Sequence, residues 1–249
     1  MKSFLAAIQF LTVIPFPKTF TPGEVNLGRS VPYFPIVGLL IGILAAILGQ
    51  LTAAVLPPLP ACAIVVIFLL AVSGGLHMDG LADTADGFFS ARPRDHILEI
   101  MRDSHIGVMG VIAVVSVILL KFSLLASLPP ALYINIILLT PLAGRCASVI
   151  MMTTLPYVRD KGGIASLFDK RRSWFHALWA VSFLVIAGIL TGQWMGFTAG
   201  IATLAIAIVF SVHSLRKIGG YTGDTLGAAC EIAEIMPALV AVVWNKASG

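Results

Sequence analysis

The chain has 249 residues, of which 58% are hydrophobic and 11% are charged, and its formal net charge is +4. Soluble domains carry about 25% charged residues, so this composition excludes a water-facing globular protein and indicates an integral membrane protein. The basic residues are dispersed beside apolar runs, which is not the pattern of a nucleic-acid-binding surface. The three cysteines share no metal-like spacing and are predicted to be packing residues.

The first residues predict a helix that lies in the membrane interface. A helix over residues 3–14 has an apolar face made of Phe4, Leu5, Ile8 and Leu11. This pattern is typical of a helix that lies along the bilayer surface instead of crossing it. The apolar run ends without a small-residue cleavage site, so we do not expect a cleaved signal peptide.

Seven later stretches are apolar and long enough to span a bilayer, which takes about 20 residues. They are residues 33–56, 60–77, 107–127, 131–153, 174–191, 195–213 and 225–244. The last stretch is the weakest, because Glu231 and Glu234 interrupt it. We therefore expect a single all-α domain over residues 1–249, with six or seven transmembrane helices. In the six-span alternative, the C-terminal helix is partly interfacial.

The basic residues predict how the chain is oriented in the membrane. Thirteen of the sixteen Lys and Arg lie in residues 1–32, 78–106, 154–173 and 214–224, while the opposite links hold only Lys246. Basic residues concentrate in cytoplasmic loops. We therefore expect the N-terminus and the three long loops to face the cytoplasm.

The segment after the second stretch concentrates acidic residues. Asp79, Asp83 and Asp86 recur at i, i+4 and i+7, which places them within about 60° of one another on a helix. Three like charges at the membrane edge are costly without a cation. Oxygen ligands favour Mg²⁺, which binds one or two carboxylates together with substrate phosphates. A solvated acidic helix end is the alternative, and His77 is either a structural histidine or a general base.

The acidic segment continues towards the third stretch. An interfacial helix that begins near Pro93 explains most of residues 92–103 without catalysis. The loop then ends in four polar residues that we expect to meet a phosphate through backbone and side chains. They are Arg102, Asp103, Ser104 and His105.

A glycine-rich segment, residues 219–227, precedes the last stretch. Its backbone N–H groups and hydroxyls, where a helix begins, could cradle a phosphate. The candidate residues are Thr222, Gly223, Asp224 and Thr225. Arg145, inside a span, is either a phosphate ligand or a buried counter-ion. Glu231 and Glu234 either neutralise Lys121 or Arg145 or act in function.

Residues 74–87, 101–110 and 219–227 together resemble the cobalamin synthase family, also called adenosylcobinamide-GDP ribazoletransferase or cobalamin-5′-phosphate synthase. The resemblance covers nearly the whole chain. It implies a multi-pass enzyme of the inner (plasma) membrane that uses Mg²⁺ and faces the cytoplasm. Such an enzyme joins adenosylcobinamide-GDP to α-ribazole or its 5′-phosphate and releases GMP. The three aspartates would hold Mg²⁺ against the diphosphate while the ribose 3′-hydroxyl attacks.

His105 departs from the family pattern, which usually has Arg at this point, so a permanently charged phosphate contact is in doubt there. Two other classes compete with the resemblance. One is a different Mg²⁺-dependent membrane phosphoalcohol transferase. The other is a secondary transporter, which would use the intramembrane ionisable residues as an ion path. The oligomeric state, a homo-oligomer included, is left open by the sequence.

Overall fold

The computed structural model describes residues 2–16, 23–159, 163–169 and 173–248, and these fold almost entirely into helices. The helices are α1 Lys2–Leu11, α2 Glu24–Gly28, α3 Phe34–Val55, α4 Pro58–Val72, α5 Leu76–Phe88, α6 Arg94–Ile100, α7 Val108–Ala126, α8 Pro130–Thr154, α9 Ser166–Asp169, α10 Trp174–Ile218, α11 Gly223–Ala233 and α12 Met236–Ser248. A short 3₁₀ helix, Val31–Tyr33, leads into α3. The predicted all-α class is confirmed.

The predicted multi-pass architecture is also confirmed. Within the described residues, five helical stretches are apolar and long enough to cross a membrane, and a sixth is formed if α4 and α5 count as one bent span. The five are Val31–Val55, Val108–Ala126, Pro130–Thr154, Trp174–Ile218 and Gly223–Ala247. The link 154–173, predicted to be cytoplasmic, lies partly outside the described residues.

The stretch 60–77 is not one straight helix, which corrects the sequence-based prediction. α4 ends at Val72, and α5 leaves at an angle of 84° to it. Gly74 and Gly75 adopt φ values of +62° and +75° between the two helices. Only glycine adopts this left-handed conformation readily, so the pair ends one helix and redirects the chain. The carboxylates of α5 therefore lie on a separate helix that is nearly perpendicular to α4.

The helical run α10 folds back on itself near Gln193, where φ is +48° and ψ is −124°. A straight helix would separate Gly188 from Gly196 by about 12 Å, yet their backbones are in contact. The run is therefore two antiparallel helices. Their positions agree with the predicted spans 174–191 and 195–213.

The N-terminal helix α1 forms as predicted, and its apolar face packs on protein. Ala7 and Leu11 are buried, and Phe4 and Ile8 pack against the same hydrophobic core. The Phe4 ring contacts Tyr33 edge-on at a centroid distance of 5.6 Å. Helix α1 is thereby attached to the start of α3.

Helix α8 is the centre of the bundle. Most of its side chains are buried, and it packs against α3, α10, α11 and α12. Helix α11 in turn packs against α5, and α5 against α7. The acidic helix α5 and the glycine-rich start of α11 are therefore neighbours in the bundle.

Candidate active site

Helices α5 and α11 approach closely because glycines face each other across their contact. A Cβ atom on Gly80 would lie 2.7 Å from the carbonyl oxygen of Asp224, and one on Gly227 would lie 2.9 Å from that of His77. Neither distance leaves room for a side chain. The contact sets Asp79 and Asp83 beside Asp224, close enough for their charges to repel one another.

Asp86 has a different environment from the other two carboxylates of α5. Its Oδ2 accepts a hydrogen bond from the Gly107 N–H at 2.6 Å, and its Oδ1 accepts one from the Gly110 N–H at 2.8 Å. These N–H groups lie at the start of α7, where a helix has unpaired donors. The metal role predicted for Asp86 stays a prediction, and the carboxylate has a capping role that needs no metal.

Arg159 is the cation that meets the acidic cluster. Its Nη2 donates to Asp224 Oδ2 at 2.5 Å and to the Met101 carbonyl at 3.3 Å. The segment that carries it is fixed by two backbone hydrogen bonds with Tyr221, one on each side of Tyr157. The loop before α9 is therefore tied to the glycine-rich segment that starts α11.

A partly enclosed cavity of about 230 Å³ lies where these elements meet. Its polar and charged lining consists of His77, Asp79, Arg145, Ser148, Tyr157, Arg159 and Asp224. The rest is mainly apolar and includes Phe10, Phe34 and Phe168. Asp79 and Leu76 also border a second, open groove of about 690 Å³ near the α4–α5 break. Pockets that bind small molecules combine an apolar lining with a few polar groups in this way.

Buried charges continue from the cavity into the bundle. Lys121 Nζ donates to Glu231 and Glu234, each at 2.5 Å, and Arg145 Nη1 donates to Glu234. All four side chains are at most 5% exposed. Glu231 and Glu234 therefore act as counter-ions of Lys121 and Arg145, which is one of the two alternatives that the sequence leaves open. Arg145 also borders the cavity, so pairing with Glu234 does not remove it from the site.

Three buried nitrogens at the cavity have no hydrogen-bond partner among the described residues. They are His77 Nδ1, Arg145 Nε and Arg159 Nε. His77 is 6% exposed and Arg145 is 2% exposed. Buried polar atoms are nearly always hydrogen-bonded, so unpaired ones at a cavity indicate a place where a ligand or water binds.

The loop predicted to meet a phosphate, residues 102–105, is exposed and does not line the cavity. His105 Nδ1 lies 2.6 Å from Asp103 Oδ1. This hydrogen bond and the charge of Asp103 raise the pKa of His105, and the same hydrogen bond lowers the pKa of Asp103. Arg102 lies near enough to Tyr157 for its charge to act on that hydroxyl.

Of the four candidate residues in the glycine-rich segment, two cap helix α11 and two border the cavity. The hydroxyl of Thr222 accepts from the Thr225 N–H, and the hydroxyl of Thr225 accepts from the Thr222 N–H. This reciprocal capping box starts α11 and occupies both hydroxyls. Gly223 and Asp224 are the two members of the predicted set that border the cavity.

The donor chemistry fits Mg²⁺ held jointly with a substrate. Within the described ranges, no three His, Cys, Asp or Glu side chains converge closely enough to hold a metal ion by themselves. Mg²⁺ typically keeps several waters and takes one or two carboxylates together with phosphate oxygens. Asp79 and Asp224 border the cavity, with Asp83 close by. A metal completed by substrate phosphates and water is consistent with this arrangement.

Comparison with known proteins now decides the family. The family model described as cobalamin-5-phosphate synthase matches residues 3–242. The chain belongs to the cobalamin-5-phosphate synthase family. Proteins named adenosylcobinamide-GDP ribazoletransferase are similar to it over most of both chains. That of Acinetobacter baumannii is 40% identical over 94% of each chain, and that of Clostridium acetobutylicum is 36% identical over 93% of this chain and 92% of its own. No solved structure matches.

In this member of the cobalamin-5-phosphate synthase family, three site residues were not predicted from the sequence. They are Arg159, Tyr157 and Ser148. Arg159 lies in the most basic of the long loops, and in the sequence that concentration of charge serves as a topology signal. A loop rich in cations in a protein predicted to bind a diphosphate would have been a reason to include it.

Proposed function

We propose that this chain joins adenosylcobinamide-GDP to α-ribazole or α-ribazole 5′-phosphate and releases GMP. The observation that carries the proposal is the cavity between α5, α8 and α11, where Asp79 and Asp224 lie with two arginines. Anionic and cationic groups of this kind are needed to hold a metal and a diphosphate together. The names of the relatives support the same substrates.

The acidic cluster is the proposed metal site. Asp79 on α5 and Asp224 on α11, with Asp83 close by, would hold Mg²⁺ together with oxygens of the diphosphate and water. When bound, the ion neutralises the phosphate charge that develops as the phosphorus–oxygen bond to GMP breaks. The rigid glycine contact between α5 and α11 keeps these carboxylates at fixed positions, so little reorganisation is needed when substrate binds.

The arginines of the cavity would bind phosphate oxygens. Arg159 pairs with Asp224 at 2.5 Å, and phosphate oxygens can take the place of that carboxylate on the guanidinium. Arg145 donates to Glu234 through Nη1, and its Nε has no partner among the described residues and can donate to a ligand. Both residues would attract phosphate-bearing substrates to the site and orient their phosphate oxygens.

His77 is the proposed proton acceptor for the attacking hydroxyl. Its buried Nδ1 has no partner among the described residues, and the side chain borders the cavity together with Asp79. An acceptor within hydrogen-bond reach of the nucleophile assists attack by removing its proton. The ribose 3′-hydroxyl would attack the phosphorus attached to the corrinoid side arm, and GMP would leave from the opposite side.

The secondary-transporter alternative required the intramembrane ionisable residues to form an ion path. The intramembrane ionisable residues Lys121, Arg145, Glu231 and Glu234 form one mutually paired network. We further propose that the protein resides in the inner (plasma) membrane with the cavity facing the cytoplasm. The basic loops around the cavity support this orientation.

The proposed reaction is tested by its product. Purified protein in lipid nanodiscs is incubated with adenosylcobinamide-GDP, α-ribazole 5′-phosphate and Mg²⁺, and GMP is measured by chromatography. We expect one GMP for each acceptor joined, no product with EDTA, and product again when Mg²⁺ is restored. GMP that forms equally well without any acceptor would indicate a hydrolase and contradict the proposal.

A further inference from the structure

The cavity beside Asp79 contains a continuous aromatic surface that the proposed chemistry does not use. The rings of Phe10, Phe34 and Phe168 contact one another, with centroid distances of 5.4 Å, 5.6 Å and 5.9 Å. They come from α1, α3 and α9, and all three line the cavity. A planar aromatic ligand can pack against such a surface.

The same cavity also has buried nitrogen groups that can bind oxygen atoms of a ligand. Arg145 and His77 are more than nine-tenths buried, and each has a nitrogen without a partner among the described residues. Arg159 also borders the cavity. A ligand that satisfies both parts of the lining is aromatic at one end and carries hydroxyls or phosphate at the other. A nucleoside or nucleotide has this chemistry.

Cavity size separates the two substrates of the proposed reaction. A volume of about 230 Å³ is at or below the low end for sites that enclose drug-sized ligands. It suits a single nucleoside and is far too small for a corrinoid that carries a macrocycle and a guanine nucleotide. Asp79 also borders the open groove, so a larger substrate can reach the carboxylate from outside the cavity.

We propose that this cavity is the subsite of the nucleoside acceptor. Its aromatic base packs on the Phe10–Phe34–Phe168 cluster, and its ribose and phosphate oxygens contact Arg145 and Arg159. The assignment rests on the proposed function, because it takes α-ribazole or its 5′-phosphate as the acceptor. The donor then meets the acceptor at Asp79 from the groove side, which keeps the bulky corrinoid out of the cavity.

Two variants test the two ends of the subsite. Phe168→Leu removes an aromatic surface at similar volume, and Arg159→Gln removes a charge. GMP release from each protein is measured with either substrate varied and the other saturating. We expect Phe168→Leu to raise the KM for both α-ribazole and its 5′-phosphate about tenfold, since base–aromatic stacking has this size. Arg159→Gln should raise the KM for the 5′-phosphate more than for α-ribazole.

Matched controls carry the same substitutions elsewhere. Phe197→Leu lies on the second half of α10, and Arg29→Gln lies on an exposed position outside the cavity. Both should keep the wild-type KM for both substrates. A rise confined to the KM for adenosylcobinamide-GDP in either cavity variant, or no change in any KM, would overturn the proposal.

A cavity-filling variant keeps the test decisive if Phe168→Leu does not fold. A Cβ atom on Gly223 would face open space, with Ala165 Cβ the nearest atom at 3.9 Å. Gly223→Val should therefore fold, reduce the cavity and weaken acceptor binding while donor binding stays unchanged. Equilibrium dialysis with α-ribazole 5′-phosphate alone measures this without turnover. A wild type that binds the acceptor but releases no GMP contradicts the proposed function and leaves the subsite standing, whereas normal binding by Gly223→Val overturns the subsite.

Discussion

At the scale of single residues, Asp79 and Asp86 lie on the same helix but have different partners. Asp79 borders the cavity, and Asp86 accepts two backbone N–H groups at the start of α7. Asp79→Asn keeps the shape and removes a charge, so we expect turnover to fall at least about a hundredfold, as for loss of a metal ligand worth several kcal/mol. Steady-state GMP release at increasing Mg²⁺ measures this.

Asp86 provides the comparison for that prediction. Asp86→Asn keeps an acceptor for the cap and should retain most turnover. Asp86→Ala removes the cap and should cost roughly 0.5–2 kcal/mol of stability, seen as a lower melting temperature. A hundredfold loss of Mg²⁺-dependent turnover in Asp86→Asn would instead identify Asp86 as a metal ligand, as the sequence pattern predicts.

His105 is the second residue whose role can be tested, through pH. The hydrogen bond with Asp103 raises the pKa of His105, so the imidazolium persists to higher pH than in a free histidine. A group with a raised folded-state pKa contributes fully below its ordinary pKa, and the contribution is lost as pH rises through the raised value. If the cation binds phosphate, the KM for adenosylcobinamide-GDP should rise across that interval.

Three variants separate this role of His105 from a neutral surface position. His105→Arg should flatten the pH dependence, because an arginine stays charged. His105→Ala should raise the KM most at low pH. Asp103→Asn should shift the dependence to lower pH by removing the partner that raises the pKa. Identical KM profiles in all four proteins would show that His105 has no part in binding.

At the scale of helices, the contact between α5 and α11 decides whether the site assembles. Gly80 has no space for a Cβ atom, because Asp224 backbone atoms lie within 3 Å of its position. Gly80→Ala should push the helices apart, cost about 1–3 kcal/mol and lower turnover by separating the carboxylates. Gly23→Ala is the matched control, since nothing lies within 4 Å of that position. A Gly80→Ala protein with unchanged melting temperature and turnover would contradict the close contact.

The Lys121 network joins α7 to α11 and α8 at the same scale. Lys121→Met leaves Glu231 buried without its cation and Glu234 paired with Arg145 alone, which should destabilise the protein by roughly 3–5 kcal/mol. The double variant Lys121→Met with Glu231→Gln removes one of those charges and should recover part of the loss. Thermal unfolding of the single and double variants in one detergent gives the coupling energy. Strictly additive losses would mean that the pairs do not interact.

At the scale of the whole molecule, the distribution of basic residues predicts which side the cavity faces. All three native cysteines are buried and can be replaced to give a cysteine-free background. In that background, Ser90→Cys and Ser166→Cys should resist an impermeant thiol reagent in intact cells. Ser127→Cys, in the exposed turn between α7 and α8, should be labelled from outside. The reverse labelling pattern would place the cavity on the outer side and remove access to cytoplasmic substrates.

The sequence by itself determined the membrane class, the positions of most apolar spans and the location of the acidic and glycine-rich motifs. These follow from hydropathy and residue spacing, which are local properties. Only the tertiary structure decided that Asp86 caps α7 while Asp224 joins Asp79 and Asp83. It also decided that Arg159 reaches the cluster from a distant loop and that Lys121 pairs with Glu231. The Lys121–Glu231 pair alone links residues 110 positions apart. These contacts depend on how the helices pack around α8, which the pattern of any single helix does not specify.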